Sequence, residues 1–324
     1  MVKPVTYSVF VYVMSNLHLT FSVLANNGNA FDTKINPCLF DGWRAGKNPV
    51  LATKVECGGR DRTGLCYGAR QPALFAVCFN KITLIPEFTA HVVEPALRVP
   101  GREDWRNEQG KYAPNPQSDV NDYDPFNQGA IVPHFNYQLN YFYGRGHLTP
   151  NGDFATLGER ELTMVNTNIA PQWQPFNAEN WATLEAAVRR YADAKKNKVF
   201  VFTGTGGTTY QRVNGQEVPM LLNQRVLVPR YFWKAICDPA IGKSVVFVAQ
   251  NPKGTEDNQP VGGCSLDGVN PKLQSPRLGV LYCYSLNDLK AKKFAEEFKL
   301  PPFSNTCTPS ERGKFLDQYL NGLS

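Results

Sequence analysis

The chain reads Tyr143-Gly144-Arg145-Gly146-His147-Leu148 and, further on, Asn177-Ala178-Glu179-Asn180-Trp181-Ala182-Thr183-Leu184-Glu185-Ala186-Ala187-Val188-Arg189. Together these two stretches hold the densest group of acid–base and anion-binding side chains in the sequence. The glycines on both sides of Arg145 lack the Cβ atoms that would keep the backbone away from a bulky anion. The first stretch therefore suits a close approach to a charged group.

The second stretch belongs to a helix that we predict over about residues 178–196. Its apolar side chains recur at helical spacing and form a stripe that would be buried, namely Trp181, Leu184, Val188 and Tyr191. Asn177 suits the N-cap of this helix. Glu185 and Arg189 are four residues apart and share one face beside the stripe. Taken alone, they would form an exposed pair worth about 0.3 kcal/mol.

The segment between the two stretches predicts a strand pair. Residues 149–153 carry strong turn chemistry, and residues 162–167 have the β-branched, partly alternating pattern of a strand. A hairpin followed by a helix would bring His147 close to the first helical turn, although the two are far apart in sequence. Taken alone, His147 would more often be a structural or surface histidine.

This arrangement would bring together side chains that are suited to cleaving a phosphodiester. That reaction requires a base to activate water, a cation to neutralise the phosphate, and donors for the charge that develops in the transition state. These needs could be met by His147, Asn177, Glu185, Arg145 and Arg189.

A family resemblance follows from these residues and their spacing. Residues 144–148, 168–172, 176–177 and 181–185 with Arg189 resemble the DNA/RNA non-specific endonucleases with the ββα-metal (His-Me finger) fold. The resemblance extends more weakly from about residue 74 to about residue 298 and does not cover the stretch before Arg70. It implies an α+β fold with a central, mainly antiparallel sheet flanked by helices.

The strands and helices expected for that fold can be placed along the chain. We expect strands at about residues 74–78, 198–202, 243–249 and 278–284, and helices near 178–196, 286–298 and 310–321. We interpret Gly204–Thr208 as a structural turn and not a phosphate loop, because a hairpin around Asn214-Gly215 follows it. His91 and His134 are expected to be core or surface residues.

The resemblance implies a role for each site residue. His147 would be the general base, and Asn177 would bind one catalytic divalent ion, most commonly Mg²⁺, with Mn²⁺ or another divalent ion left open. Glu185 would hold the waters around that ion from the second shell. Arg145 and Arg189 would bind phosphate, and Asn168 would support the site. Arg102 would be a further site arginine, with Arg106 as its rival. The products would carry 5′-phosphate ends.

Gly144 departs from the family pattern, because many members carry Asp there. The missing carboxylate would affect the rigidity of the site or the pKa of the histidine. In this respect the chain resembles secreted crustacean nucleases and insect gut nucleases that digest double-stranded RNA. The departure also leaves an alternative open, a nucleic-acid-binding protein on the same scaffold with degenerate catalysis.

The N-terminus and the cysteines favour an exported protein. Residues 1–25 are predicted as a signal peptide, with a first β-strand as the alternative. Residues 26–70 would form a small Cys-containing extension, and residues 71–324 would form the nuclease domain. The chain has 8 cysteines and no C-x-x-C pair, which favours disulfides over zinc. We expect the first four to pair among themselves and the last four likewise.

The charge of the chain favours a polyanionic partner. The formal net charge is +6 and the isoelectric point is about 8.8. If the partner is nucleic acid, DNA or RNA, its phosphates would supply most of the affinity and none of the sequence information. Beyond the leader, the sequence predicts no membrane-spanning segment. A homodimer stays open, since members of the family are often dimers.

Overall fold

The structure is a computed structural model that describes residues 34–68, 72–101, 104–105, 117, 121–252, 263–264, 266 and 268–321. The predicted signal peptide, residues 1–25, lies outside the described residues. The strands are β1 Arg44–Ala45, β2 Asn48–Pro49, β3 Arg62–Tyr67, β4 Phe75–Asn80, β5 Pro86–Val93, β6 Tyr143–His147, β7 Ile169–Trp173, β8 Val199–Thr208, β9 Tyr210–Val213, β10 Gln216–Pro219, β11 Leu221–Leu222, β12 Val226–Leu227, β13 Pro229–Asp238, β14 Lys243–Gln250 and β15 Leu281–Tyr284. The α-helices are α1 Ile35–Cys38, α2 Leu157–Thr163, α3 Gln174–Phe176, α4 Ala182–Lys195, α5 Leu286–Lys290 and α6 Asp317–Leu320.

A seven-stranded sheet in the order β15-β14-β13-β8-β5-β4-β3 forms the centre of the fold. All of its neighbouring strands pair antiparallel. The predicted α+β fold with a central, mainly antiparallel sheet is therefore confirmed. One of the seven strands, β3, comes from before residue 70, and the domain boundary expected there stays a prediction.

Both faces of the sheet are covered, because successive side chains of a strand point to opposite faces. In β8, Val199 and Val201 join the cluster that contains α4, whereas Phe200 and Phe202 join the cluster that contains residues 35–55. The predicted stripe of the helix, which includes Leu184 and Val188, is buried in the first cluster. Lys234, His91 and Thr203 have the strand parity of the face that lies under α4.

The cysteines pair within each half of the chain. The bonds are Cys38–Cys66, Cys57–Cys78, Cys237–Cys307 and Cys264–Cys283. The expectation that the first four and the last four cysteines pair among themselves is confirmed. The first two bonds link the N-terminal segment to β3 and β4, and the third links β13 to the C-terminal segment.

The prediction of a strand at residues 162–167 is wrong. Helix α2 covers Leu157–Thr163 and a 3₁₀ turn covers Asn166–Asn168. The reason is a capping box, in which the Thr156 side chain accepts from the Glu159 amide while the Glu159 carboxylate accepts from the Thr156 amide. These bonds nucleate a helix and override the β-branched composition. The strand that pairs with residues 143–147 is β7, Ile169–Trp173.

The two C-terminal helices are shorter than expected. The helix predicted at 286–298 ends at Lys290, and a 3₁₀ turn follows at Lys293–Ala295. Phe294 and Phe298 leave the helix path to pack on Tyr231 and Trp233 of the sheet. The helix predicted at 310–321 covers only Asp317–Leu320, because residue 312 bridges Ser244 of β14 and the Gly313 amide donates to the Ser244 carbonyl at 2.7 Å.

The expected hairpin is confirmed. The hairpin around Asn214-Gly215 joins β9 to β10, and both turn residues have positive φ, 52° and 81°. The structural turn expected at residues 204–208 is wrong, because these residues are the second half of β8. They are part of a strand and not of a phosphate loop. His91 is buried and His134 is exposed. Among the described residues, no helix is both long and apolar enough to cross a membrane.

Candidate active site

A strand pair followed by a helix positions the predicted site residues. Strands β6 and β7 pair antiparallel with Arg145 opposite Pro171 and His147 opposite Ile169. Strand β7 runs directly into the helix that begins at Gln174. This is the ββα arrangement that the sequence implied, with β7 in place of the expected second strand.

Three of the predicted residues meet in one cavity of about 690 Å³. Arg145 and His147 are two residues apart on β6 and therefore point to the same side of the strand. Asn177 reaches the same space from the helix. The described residues that line the cavity are Tyr123, Asp124, Pro125, Tyr137, Phe142, Gly144, Arg145, His147, Gln174 and Asn177.

Trp105 packs against the two β6 side chains that line this cavity. Its ring stacks on the imidazole of His147 with centroids 4.5 Å apart, and the guanidinium carbon of Arg145 lies 5.2 Å from the same ring. An aromatic face attracts a cation at this distance. Trp105 therefore orients the candidate base and the candidate phosphate ligand together. Its neighbours in sequence carry no motif that would have predicted this position.

Met164 lies against the other side of His147. Its sulfur is 3.3 Å from Nε2 of the imidazole. Met164 is fully buried at the C-terminal end of α2, which makes it part of a rigid support. The α-helix that replaced the expected strand thus supplies a contact to the candidate base.

Asn177 is not an N-cap, contrary to the prediction. The helix begins three residues earlier, where Pro175 suits the first turn, and Asn177 has helical dihedrals of −58° and −47°. Asn177–Trp181 forms a wide π turn between α3 and α4. π turns of this kind are frequent at functional sites.

The wide turn changes which residues share a helix face. Asn177 and Glu185 are eight positions apart, and a regular helix would turn through roughly 800° over that distance, about 80° past two full turns. The extra residue that a π turn accommodates removes most of this offset. Asn177 and Glu185 therefore lie along one face, and the Glu185 side chain leans toward the helix N-terminus, as helical side chains do.

Gln174 occupies the space left by the missing carboxylate at position 144. A Cβ atom built on Gly144 would overlap the carboxamide oxygen of Gln174 and lie 3.2 Å from its carbonyl carbon. The same oxygen is 3.4 Å from Nδ2 of Asn177, which donates to it. Because Nδ2 of Asn177 faces Gln174, its Oδ1 is directed elsewhere. Within the described residues, no hydrogen bond engages that oxygen.

Asn168 is a fully buried clamp and is not among the described residues that line the cavity. Its Oδ1 accepts from the Thr149 amide at 3.0 Å, and its Nδ2 donates to the carbonyls of Thr149 and Thr163 at 2.9 and 3.0 Å. It thus ties the segment after His147 to the end of α2. Its action on the site is indirect, through backbone position.

Glu185 lies over a buried lysine of the sheet. Burial raises the pKa of Glu185 to about 7, against the opposing charges of Lys234 and Arg189. Burial lowers the pKa of Lys234, although the Glu185 carboxylate opposes that shift. Lys234 donates to the Thr203 hydroxyl, and its Nζ lies 5.3 Å from the Trp181 ring. Glu185 is therefore part of a half-buried charge cluster and not of an exposed pair.

Arg189 pairs with Asp153, where the sequence had suggested Glu185 as its partner. Nη1 of Arg189 donates to Oδ1 of Asp153 at 2.8 Å, and Nε2 of His91 donates to Oδ2 at 2.8 Å. Burial alone would raise the pKa of Asp153, but the His91 hydrogen bond and the Arg189 charge lower it to about 2. Burial lowers the pKa of His91, and the hydrogen bond and charge of Asp153 oppose that shift.

Asp153 was missed by the sequence reading, because it sits in a segment that carries only turn chemistry. It lies 62 positions from His91 and 36 from Arg189, so no local pattern could connect them. Arg102 and its rival Arg106 lie outside the described residues.

Comparison with known proteins finds a matching family and similar chains. The sequence model of the DNA/RNA non-specific endonucleases matches residues 63–266. A salivary endonuclease of Lutzomyia longipalpis is 30% identical over 220 residues, 62% of this chain and 52% of that protein. A salivary endonuclease of Culex quinquefasciatus is 32% identical over 118 residues, 36% of this chain and 32% of that protein.

The chain spans about half the length of the first relative and about a third of the length of the second. A chain in a crystal structure of the EndoG/EndoGI complex superposes with a TM-score of 0.37 and 21% identity, over 63% of this chain and 79% of that chain. The matched residues 63–266 contain the strand pair, the helix and the cavity described above. The protein belongs to the DNA/RNA non-specific endonuclease family.

Proposed function

We propose that the protein is a secreted, metal-dependent endonuclease that hydrolyses phosphodiester bonds of DNA or RNA, double-stranded RNA included, without sequence preference. The observation that carries the proposal is the meeting of His147, Arg145 and Asn177 in one cavity. These groups would supply a base, a phosphate ligand and an oxygen ligand for a cation. Arginines on phosphates carry no information about bases, which accounts for the absence of sequence preference.

His147 would act as the general base. Its neutral imidazole removes a proton from a water molecule, and the water oxygen forms a bond to phosphorus. The bond from phosphorus to the 3′-oxygen breaks, and that oxygen takes a proton from solvent. The products are a 5′-phosphate and a 3′-hydroxyl. Arg145 would bind the non-bridging oxygens, and the Trp105 ring would hold it in that orientation.

The donor set fits a hard divalent cation held by few protein ligands. Asn177 offers a carboxamide oxygen to the cavity, and the described residues contain no group of three or more His, Cys, Asp or Glu that could form a metal cage. Mg²⁺ suits such a site, because it keeps several waters, and Mn²⁺ is compatible with it. A cation there would neutralise charge on the phosphate. Glu185, on the same helix face, would accept hydrogen bonds from the surrounding waters.

Arg189 and Asn168 would act from outside the cavity lining. Arg189 is held by Asp153 and would add positive charge near Glu185. Asn168 would fix the backbone that follows His147. We retain Arg102 as a further phosphate ligand.

Secretion is supported by two observations. The relatives at 30% and 32% identity are named salivary endonucleases. Four disulfides form among the described residues, and such bonds persist in oxidising compartments.

Cleavage and binding assays together test the proposal. We expect the full chain to cut DNA or RNA with Mg²⁺ and to stop with EDTA. His147→Ala should lose most of this activity and still bind the substrate. If both proteins bind alike and neither cuts with any divalent ion, the protein is the alternative, a binding protein with degenerate catalysis.

The metal ligand needs its own control. Asn177→Ala should impair cleavage far more than Asn287→Ala, which changes an exposed residue of α5. Asn180 is a poor control because its amide is buried and donates to the carbonyls of Lys272 and Gly279. Equal effects of the two substitutions would show that Asn177 is not the ligand.

A further inference from the structure

Three aromatic rings form an exposed column at the rim of the catalytic cavity. Phe126 stacks on Tyr137 with centroids 5.2 Å apart and planes at 25°, and Tyr137 stacks on Phe142 at 5.9 Å and 17°. Phe126 is 72% exposed and Tyr137 is 52% exposed. Exposed aromatic groups of this kind commonly mark a binding surface. We call Phe126, Tyr137 and Phe142 the aromatic column.

The aromatic column is continuous with the groups of the candidate active site. Tyr137 and Phe142 line the same cavity as Arg145 and His147. The carbonyl of Phe142 accepts from the Gln174 amide at 2.9 Å, which joins the inner end of the column to the start of the helix. A phosphate bound at Arg145 would therefore place the adjoining nucleoside next to these rings.

Hydrogen bonds hold the segment that carries Phe126 in position. The carboxylate of Asp124 accepts from the Phe126 amide at 3.0 Å and from Nδ2 of Asn127 at 3.3 Å. The buried carboxamide of Gln128 bonds to the amide and carbonyl of Tyr143 at 2.8 and 2.9 Å. The turn that carries Phe126 is thus tied to the strand that carries Arg145 and His147.

We propose that the aromatic column is a subsite for an unpaired nucleobase next to the scissile phosphate. A base has two π faces, and stacking on protein aromatic rings accepts every base, which agrees with cleavage without sequence preference. A base inside an intact duplex has both faces covered by its neighbours. The subsite would therefore favour single-stranded stretches or bases displaced from a duplex. This inference rests on the proposed nuclease function.

Binding without metal tests the subsite separately from catalysis. Fluorescence anisotropy in EDTA would measure the Kd of the full chain for a labelled single-stranded oligonucleotide and for an abasic strand of the same length. We expect Phe126→Ala and Tyr137→Ala to raise the Kd for the normal strand by roughly 5- to 150-fold, the range of one lost base stack. The Kd for the abasic strand should change less than about twofold, because phosphate contacts remain.

Two further variants control for structure and ring chemistry. Phe126→Tyr keeps a stacking ring and should bind as the wild type does. Ile82→Ala removes a side chain that is 70% exposed on the β4–β5 turn and should change neither Kd. In cleavage, Phe126→Ala should raise KM for single strands with little change in kcat, since the ring is away from the reacting atoms.

The possible results distinguish a failure of the subsite proposal from a failure of the proposed nuclease function. Equal weakening of normal and abasic strands, or no weakening, would overturn the subsite even if the wild type cuts nucleic acid. Base-dependent binding by a wild type that cuts nothing with any divalent ion would leave the subsite standing and overturn the nuclease function.

Discussion

The carboxamide of Gln174 occupies the position that a side chain on Gly144 would take, and its oxygen accepts from Asn177. Gly144 and Gln174 are neighbours through the pairing of β6 and β7, since Gly144 lies opposite Gln172. The space beside position 144 is therefore filled by a polar group from the helix start. This contact orients the candidate metal ligand.

Gln174→Ala should weaken binding of the divalent ion and so raise the ion concentration that cleavage requires. Loss of a group that orients a metal ligand typically reduces metal affinity by about 10- to 100-fold. We expect the Mg²⁺ concentration for half-maximal cleavage to rise in that range, with a smaller loss at saturating Mg²⁺. Gln174→Glu, which keeps an acceptor, should behave close to wild type. A uniform loss of activity at all Mg²⁺ concentrations would contradict the positioning role.

Trp105→Ala should reduce cleavage by about 10-fold, because it removes the ring that orients both His147 and Arg145. Trp105→Phe keeps an aromatic face and should retain most of the rate. Initial rates on double-stranded DNA and RNA would show this difference. Full activity of the alanine variant would mean that the stacking has no role in the reaction.

Asp153→Asn should destabilise the fold more than Asp193→Asn does. The Asp153 side chain is 3% exposed and holds Arg189 and His91, whereas the Asp193 side chain, paired with Arg98, is 37% exposed. Breaking a buried pair costs about 3–5 kcal/mol, and an exposed pair contributes at most about 1 kcal/mol. Urea unfolding at neutral pH would measure both free energies. Similar values would show that the buried pair is not a structural support.

The stabilisation from Asp153 should also depend on acid pH. Its folded-state pKa is about 2, below the ordinary 3.8. Its contribution is therefore complete above pH 3.8 and is lost as the pH falls through about 2. The difference in unfolding free energy between wild type and Asp153→Asn should shrink over that window.

The contribution of Glu185 to stability should have the opposite pH dependence to that of Asp153. Its folded-state pKa is about 7, above the ordinary 4.5, so the folded state binds the proton more tightly. The stabilisation is complete below pH 4.5 and is lost as the pH rises through about 7. In EDTA, the free energy of unfolding of the wild type should fall by about 1–3 kcal/mol relative to that of Glu185→Gln as the pH rises over this range. A constant difference between the two proteins would show that the carboxylate is not perturbed.

Local patterns predicted the elements that depend on neighbours in sequence. The stripe of Leu184 and Val188 indicated the helix, and Asn214-Gly215 indicated the hairpin, because each pattern carries its own geometry. The β-branched side chains of residues 162–167 predict a strand, but the capping box of Thr156 and Glu159, which is visible in the sequence, nucleates a helix there.

The contacts that complete the site could not be read in this way. Asp153, Trp105 and Lys234 reach their partners only after the sheet and the strand pair have assembled. Family spacing placed His147, Arg145 and Asn177 together, whereas Asn168 and Arg189 contact groups outside the cavity lining. Tertiary packing determines these positions, and no periodicity or motif in the sequence encodes that packing.

The wide turn at Asn177–Trp181 holds one residue more than regular winding would place there. Excising a single residue there would restore regular winding and leave Asn177 and Glu185 seven positions apart, about 700°, which is within roughly 20° of two full turns. The shared face of these two residues would therefore survive a one-codon deletion in the turn. Natural variation in the segment should include chains that are one residue shorter.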